Sequence, residues 1–354
     1  MSPTSQTQMR FLCFGVGAIG TYIGGSLALI GQTVVFVDNP TVASQVRNTG
    51  LHLCLNGDER IISDPEIVTT INEALTKGPF DLAILAIKSY DTQSFVENLQ
   101  AYSVALPPFL CLQNGVENEE LLSKVLGSER VIPASVTTSI GRVAAGSIIL
   151  ERLRGIGLSA KHTLSQTLAG LFDSAGLRAR LYNQPTGMKW SKMVTNLMGN
   201  ATSAILDMTT AQIYAEPGLY SLETQQLKET LRVMKAQGIP VVDLPGTPVR
   251  ALALALELLP ARLSQPFVKQ AIGKGRGEKM PSFHIDLYAG RTKSEVDYLN
   301  GAVVRYGRRL AIPTPVNRFL NETLLALVEG KTDKAEYAHQ PAKLISTYQE
   351  CLVR

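Results

Sequence analysis

Near its start the chain reads Gly15-Val16-Gly17-Ala18-Ile19-Gly20, between an apolar run, Arg10–Phe14, and a helix-patterned stretch, Ala18–Ile30. Glycines so spaced in a strand–turn–helix serve three purposes. Gly15 permits a tight turn, Gly17 lets a phosphate approach the backbone, and Gly20 lets helix and strand pack closely. The helix N-terminus offers free N–H groups and the positive end of a dipole, which suit a pyrophosphate. Val16, Ala18 and Ile19 complete a candidate dinucleotide loop. A glycine-rich turn without a ligand is the competing reading. Gly24-Gly25 in the same helix point to close packing.

The following stretch decides between them. Apolar runs at Thr33–Val37, Leu82–Ile87, Phe109–Leu112 and Ala134–Thr138 alternate with helical patterns at Ser89–Gln100 and Asn118–Leu126. Continuous apolar runs are the pattern of strands buried on both faces, and the alternation implies a parallel sheet with right-handed crossovers. Strands containing glycine around Gly141–Ser159, a helix near Leu164–Asp173 and a strand near Leu177–Tyr182 close this half. From Pro185 the pattern becomes helical, at Gly187–Ala204, Leu219–Gln237, Val249–Leu259, Ser294–Leu310 and Pro315–Val328. The expectation is an α/β fold: an N-terminal Rossmann-type parallel-sheet domain, 1–184, with residues 1–8 a frayed tail, followed by an all-helical C-terminal domain, 185–354.

Composition narrows the partners. Lys and Arg exceed Asp and Glu by 34 to 30 in 354 residues. A net charge of +4 gives no basic face for nucleic acid and is compatible with a small anionic ligand. The longest apolar stretch, Ala251–Leu259, is interrupted by Glu257, so no membrane span is expected. Cys13, Cys54, Cys111 and Cys351 are scattered without metal-ligand or disulfide spacing. The expectation is no metal, reduced thiols and a cytoplasmic setting.

Ligands of open α/β sheets bind at the carboxyl ends of the strands. Asp38, ending the second strand in Val37-Asp38-Asn39-Pro40, can accept from a ribose 2′-hydroxyl and repel a 2′-phosphate, which favours NAD(H); a turn or N-cap role is the alternative. Lys88 and Gln113-Asn114-Gly115 end two further strands and are otherwise surface strand ends. Lys192, Asn196 and Asn200, four residues apart, share one helix face among apolar neighbours, where a lysine can donate a proton; a solvated polar stripe is the alternative. Pro281-Ser282 through Asp286 opens a helix. Ser294 is an expected N-cap with Asp297 at the capping-box position, and Glu295 a first-turn acid. The basic loop Gly273–Lys279 lacks a Walker A pattern and is either a lid over an anion or a plain surface loop.

In order along the chain, the glycine loop, Ala86-Ile87-Lys88-Ser89-Tyr90-Asp91-Thr92, Leu112-Gln113-Asn114-Gly115-Val116-Glu117-Asn118, Lys189-Trp190-Ser191-Lys192-Met193-Val194-Thr195-Asn196, Pro281-Ser282 through Asp286, Glu295-Val296-Asp297-Tyr298-Leu299-Asn300-Gly301-Ala302 and Pro313-Thr314-Pro315-Val316-Asn317-Arg318 resemble the ketopantoate reductase (2-dehydropantoate 2-reductase) family. The resemblance implies an active site in a cleft and reduction of 2-dehydropantoate to (R)-pantoate, a step of pantothenate and coenzyme A synthesis. It implies Lys192 as general acid, Asn114 as its partner near the nicotinamide, Glu295 as an orienting acid, and Asn196, Asn200 and Ser282 as substrate ligands. Lys88 would lie near the cofactor.

The resemblance implies NADP(H). However, the family's usual arginine after the second strand is replaced by Asp38-Asn39, which makes NAD(H) an open alternative, with Arg47 a partial substitute for that arginine. Asp286–Glu295 is one residue longer than the common pattern, and Pro240–Lys279 is long. An NADH-dependent (R)-2-hydroxy-acid dehydrogenase acting on another 2-oxo acid is the second reading, and a non-catalytic nicotinamide-binding sensor the third. The expected partner is a small 2-oxo acid, with a homodimer as the assembly.

Overall fold

The computed structural model describes residues 8–259, 265 and 279–353. Twelve strands are present among them: β1 (Arg10–Phe14), β2 (Thr33–Val37), β3 (Leu51–Leu55), β4 (Asp58–Ile62), β5 (Ile67–Val68), β6 (Leu82–Leu85), β7 (Phe109–Cys111), β8 (Val131–Val136), β9 (Ser139–Ala144), β10 (Ser147–Arg152), β11 (Ile156–Ser159) and β12 (Ala179–Tyr182). Eight of them form one sheet in the order β12-β11-β8-β7-β6-β1-β2-β5. Its neighbours are parallel except for β11 against β8. Period-two alternation sends Phe11 and Cys13 to one face of β1 and Leu12 and Phe14 to the other. Both faces are buried, which is why these strands read as unbroken apolar runs. On one face Phe14 stacks on Phe109 at 5.7 Å and meets Phe95 edge-on at 4.9 Å.

Strand ends differ from expectation by a few residues. Leu82–Ile87 ends at Leu85 and Phe109–Leu112 at Cys111, while the Ala134–Thr138 strand starts earlier, at Val131. The Ala86 and Leu112 N–H groups still donate to Phe14 O (2.9 Å) and Leu85 O (3.2 Å), so the ladders fray rather than stop. Ser89–Gln100 is a 3₁₀ turn, Ser89–Asp91, leading into the helix Thr92–Leu99.

A second sheet, β4-β3-β10-β9, is larger than the glycine-containing strands foretold. Its β3–β4 hairpin turns on Asn56-Gly57, both at positive φ (53° and 93°), as an Asn-Gly hairpin turn requires. The helix Ala18–Leu29 packs against this sheet and the large one. A Cβ on Gly24 would come within 2.6 Å of the Phe36 ring, and one on Gly25 within 2.9 Å of Leu53, so both glycines serve close packing.

From Pro185 onward the described residues form helices and one two-residue bridge, Leu244 with Thr247. Pro185 opens the helix Pro185–Leu197, where its missing N–H is harmless. The segment expected as one helix, Gly187–Ala204, is two: Gly199 takes a left-handed conformation (φ 63°) and Asn200–Leu206 begins afresh. Pro217–Ala236, Val249–Leu258, Ser282–Tyr288, Val296–Arg309 and Pro315–Val328 follow, with the short Thr210–Ala215 and the terminal Pro341–Val353, both unforeseen. The Ser294–Asp297 capping box does not form. The helix starts at Val296, Ser294 Oγ accepts from the Val296 N–H at 3.2 Å, and Asp297 pairs with Arg305 at 3.0 Å.

The chain divides into two compact units: residues up to Lys189 with Leu244–Thr247, and Trp190–Asp243 with the residues from Pro248. No helix among the described residues is long and apolar enough to cross a membrane, and none of their His, Cys, Asp and Glu side chains forms a metal-binding group.

Candidate active site

In the first unit the glycine loop joins β1 to Ala18–Leu29. Gly15 sits at φ +96° against the Ala86 carbonyl, a conformation that disfavours any side chain. A Cβ on Gly20 would overlap the Gly15 carbonyl oxygen. Around Gly17 a Cβ would meet no protein atom within 4 Å. The chain has no packing need for a glycine there, and Ala18, Ile19 and Gly20 open the helix beside that open space.

Asp38 is turned onto this loop. Its Oδ2 accepts from the Val16 N–H at 2.6 Å, and its Oδ1 accepts from the Asn39 backbone (2.8 Å) and side-chain (2.9 Å) N–H groups. The N-cap of the helix Pro40–Thr49 is Asn39, whose Oδ1 accepts from the Val42 N–H at 3.0 Å. Asp38 is therefore not the cap. Arg47 donates to the Ile67 carbonyl at 2.9 Å, at the edge strand β5.

Lys88 and Asn114 follow β6 and β7 and are half-buried. Polar side chains knit these two strand ends together. Ser89 Oγ and Asn118 Nδ2 donate to the Asn114 carbonyl at 2.8 and 2.7 Å. Thr92 Oγ1 donates to Asn118 Oδ1 (2.9 Å), and Gln113 Nε2 donates to Thr92 Oγ1 (2.7 Å) and the Ile87 carbonyl (3.2 Å). Lys189 Nζ reaches the Gln113 carbonyl at 2.5 Å and Glu119 Oε1 at 2.7 Å. Sequence reasoning missed Ser89, Thr92, Asn118, Glu119 and Lys189. The available signal was the run of polar residues within both motifs where a strand end needs few.

In the second unit Lys192 and Asn196 are half-buried on Pro185–Leu197. Asn200 does not continue their helix face, because the chain breaks at Gly199. The Gly199 N–H donates to Glu223 Oε2 at 2.7 Å. Glu223 also accepts from Thr202, from Tyr214 (3.1 Å) and from Gln226 (2.7 Å). Burial raises its carboxyl pKa, and these donors only partly oppose the rise. The break brings Asn200 to Ser282 instead: its Oδ1 accepts from the Phe283 N–H at 3.1 Å and its Nδ2 donates to Ser282 Oγ at 3.4 Å. Asn200 thus secures the start of the helix Ser282–Tyr288, and Asp207 Oδ1, 2.6 Å from His284 Nε2, secures its side. Ser282 itself is exposed. Glu295 is buried at the start of Val296–Arg309.

Other motif residues are structural. Asn300 donates to Gln226 (3.0 Å) and Asn317 (3.1 Å), and Asn317 donates to Glu229 at 2.7 Å. A Cβ on Gly301 would overlap the Asp297 carboxylate. Most of the basic loop, Gly273–Glu278, lies outside the described residues.

A mostly parallel sheet with a glycine loop at its first strand, and an acid turned onto that loop from its second, defines a Rossmann-type dinucleotide-binding fold joined to a helical region. Comparison with known proteins refines this class. Residues 11–160 match the family described as ketopantoate reductase PanE/ApbA, and residues 186–329 match its C-terminal domain. The chain belongs to the ketopantoate reductase family, whose members are NAD(P)-dependent oxidoreductases acting on CH–OH groups. It is 26% identical to a 2-dehydropantoate 2-reductase of Pyrococcus horikoshii over 91% of this chain and 97% of that one. It is 28% identical to one of Pyrobaculum aerophilum over 86% and 93%. The solved PanE/ApbA family ketopantoate reductase of Ralstonia eutropha JMP134 superposes with a TM-score of 0.76 at 27% identity, covering 91% of this chain and 99% of that one. A D-mandelate dehydrogenase solved with NADH and anilino(oxo)acetate shares the fold, with a TM-score of 0.75 at 21% identity and coverage of 91% and 99%.

Proposed function

We propose that the protein reduces 2-dehydropantoate to (R)-pantoate in the cytoplasm, with NAD(H) as the preferred cofactor. The observation that carries the cofactor choice is the Asp38 carboxylate, held 2.6 Å from the Val16 N–H. It stands where the family's usual arginine would donate to a 2′-phosphate. A carboxylate there accepts from a ribose 2′-hydroxyl and repels a phosphate. Arg47, a partial substitute for that arginine, donates to the Ile67 carbonyl at 2.9 Å.

When bound, the nicotinamide supplies the hydride that reduces the ketone carbon. The chain's own residues do the rest. Gly15 to Gly20 would hold the pyrophosphate on the helix N-terminus, and Lys88 would lie near the cofactor. Lys192 stabilises the negative charge growing on the ketone oxygen and donates the proton that neutralises it. Asn114 would position the nicotinamide end, and Glu295 orients Lys192. Asn196 and Ser282 bind the substrate's carboxylate and hydroxyl, and Asn200, through its bonds to Ser282 and Phe283, fixes Ser282 as it binds. Asp38 also favours a second reading, an NADH-dependent (R)-2-hydroxy-acid dehydrogenase for another 2-oxo acid.

Lys192→Ala is the direct test. Loss of one preorganised charged donor lowers kcat by about 10²–10³-fold, while NADH titration gives an unchanged Kd. Full turnover in the variant would remove Lys192 from the chemistry.

A further inference from the structure

Lys189 stands three residues before Lys192 in the same helix, yet the reaction has no evident use for it. It is 5% exposed. Its ammonium donates to the Gln113 carbonyl at 2.5 Å and the Ala134 carbonyl at 3.3 Å, and forms an ion pair with Glu119 Oε1 at 2.7 Å. These come from three elements: the loop after β7, the helix Asn118–Leu126, and β8. Burial alone would lower the lysine's pKa, but Glu119, and secondarily Cys111, reverse this and raise it, so Lys189 stays charged.

Burying an ammonium costs several kcal/mol unless opposite charge and hydrogen bonds offset it. A methionine would cover the same strand ends without that cost. What only a donor can do here is fix a carbonyl. The Gln113 carbonyl belongs to the peptide unit whose N–H is that of Asn114, and a planar peptide transmits its orientation to the next Cα. The following carbonyl, Asn114's own, is held by Ser89 at 2.8 Å and Asn118 at 2.7 Å. Asn114 is thus clamped through the peptides on both sides. Lys189 is the member of that clamp supplied by the helix that carries Lys192.

We infer that Lys189 is a positioning residue: by fixing the Gln113–Asn114 peptide it holds the Asn114 side chain in place for the nicotinamide end of the cofactor. The inference rests on the proposed role of Asn114.

The test is a double-mutant cycle. Lys189→Met is combined with Glu119→Gln, so that no buried charge is stranded. Lys189→Arg serves as the conservative variant that keeps charge and donors. The pair is introduced into the wild-type and Asn114→Ala backgrounds. With wild-type Asn114, kcat falls by about 10–100-fold through misplacement while KM for the oxo acid changes little, and Lys189→Arg recovers part of the loss. In the Asn114→Ala background the same pair changes kcat by no more than about twofold, because the residue it acts through is gone. Equal losses in both backgrounds, or an unchanged kcat with wild-type Asn114, overturn the inference.

NADH titration separates this outcome from failure of the functional reading. If the wild type reduces no 2-oxo acid, the same cycle is read in Kd for NADH. A weakening of about tenfold that disappears in Asn114→Ala supports the clamp, and an additive or absent effect overturns it.

Discussion

Removing the Asp38 carboxylate should change which nicotinamide cofactor the protein prefers. The carboxylate makes one charge-assisted hydrogen bond to the loop, from Val16, and two bonds to Asn39. In the proposed complex it adds one to the ribose 2′-hydroxyl. A hydrogen bond to a charged group contributes about 1.5–3 kcal/mol. Asp38→Ala should therefore weaken NADH by about 10–150-fold. NADPH should respond in the other direction. A carboxylate and a phosphate about 4 Å apart repel by about 4 kcal/mol per charge pair at an effective dielectric constant near 20, and the variant relieves that repulsion. Asp38→Asn separates the two effects, because its amide oxygen can still accept from Val16 while the charge is gone. The assay is titration of nicotinamide fluorescence for both cofactors in wild type, Asp38→Asn and Asp38→Ala. NADPH binding the wild type as tightly as NADH, or both cofactors weakening equally in Asp38→Ala, would refute the reasoning and reduce Asp38 to a support of the loop.

Two glycines of one loop should behave oppositely. Gly17→Ala meets no protein atom, so its thermal midpoint should stay within about 2 °C of wild type while NADH weakens at least about tenfold as the new methyl enters the phosphate space. Gly20→Ala overlaps the Gly15 carbonyl and should cost about 3 kcal/mol or more of stability, read by urea unfolding. Glu223 should make stability depend on pH. Burial raises its folded-state pKa above the ordinary 4.5, so the folded state binds the proton more tightly than the unfolded chain. Its stabilising contribution is then full below that value and is lost as pH rises through the raised one. Urea midpoints of wild type and Glu223→Gln from about pH 4 to pH 8 should show the wild type losing ground with rising pH. A constant difference would mean that Glu223 does not change protonation on folding.

The large sheet was legible because strands buried on both faces must be apolar throughout, as Leu82–Leu85 is. The glycine loop was legible because backbone geometry leaves few residue choices at Gly15 and Gly20. The hairpin of β3 and β4 escaped notice, although Asn56-Gly57 between alternating residues carried the signal. It was hidden by exposed charges in Asp58-Glu59-Arg60, which suit a strand at the edge of a sheet. The break at Gly199 was invisible to periodicity, since a glycine inside a helical pattern is tolerated. What fixes it left-handed is Glu223, a distant residue whose carboxylate takes the freed N–H. For the same reason Asn200 was counted on the Lys192 face when tertiary structure aims it at Ser282. Lys189 read as one more helical lysine, because its three partners lie 55 to 76 residues away in sequence. Short-range pattern finds elements and backbone-constrained loops. Buried polar networks are set by partners that no window of sequence contains.

The most direct test of the account is a steady-state assay of the purified protein with 2-dehydropantoate, run separately with NADH and NADPH and followed by nicotinamide absorbance. The account predicts turnover with the oxo acid and a kcat/KM higher with NADH by at least about tenfold, the lower bound of one lost charged hydrogen bond. Binding of NADH without any turnover of 2-dehydropantoate would contradict the assigned substrate, and a preference for NADPH would contradict the role given to Asp38.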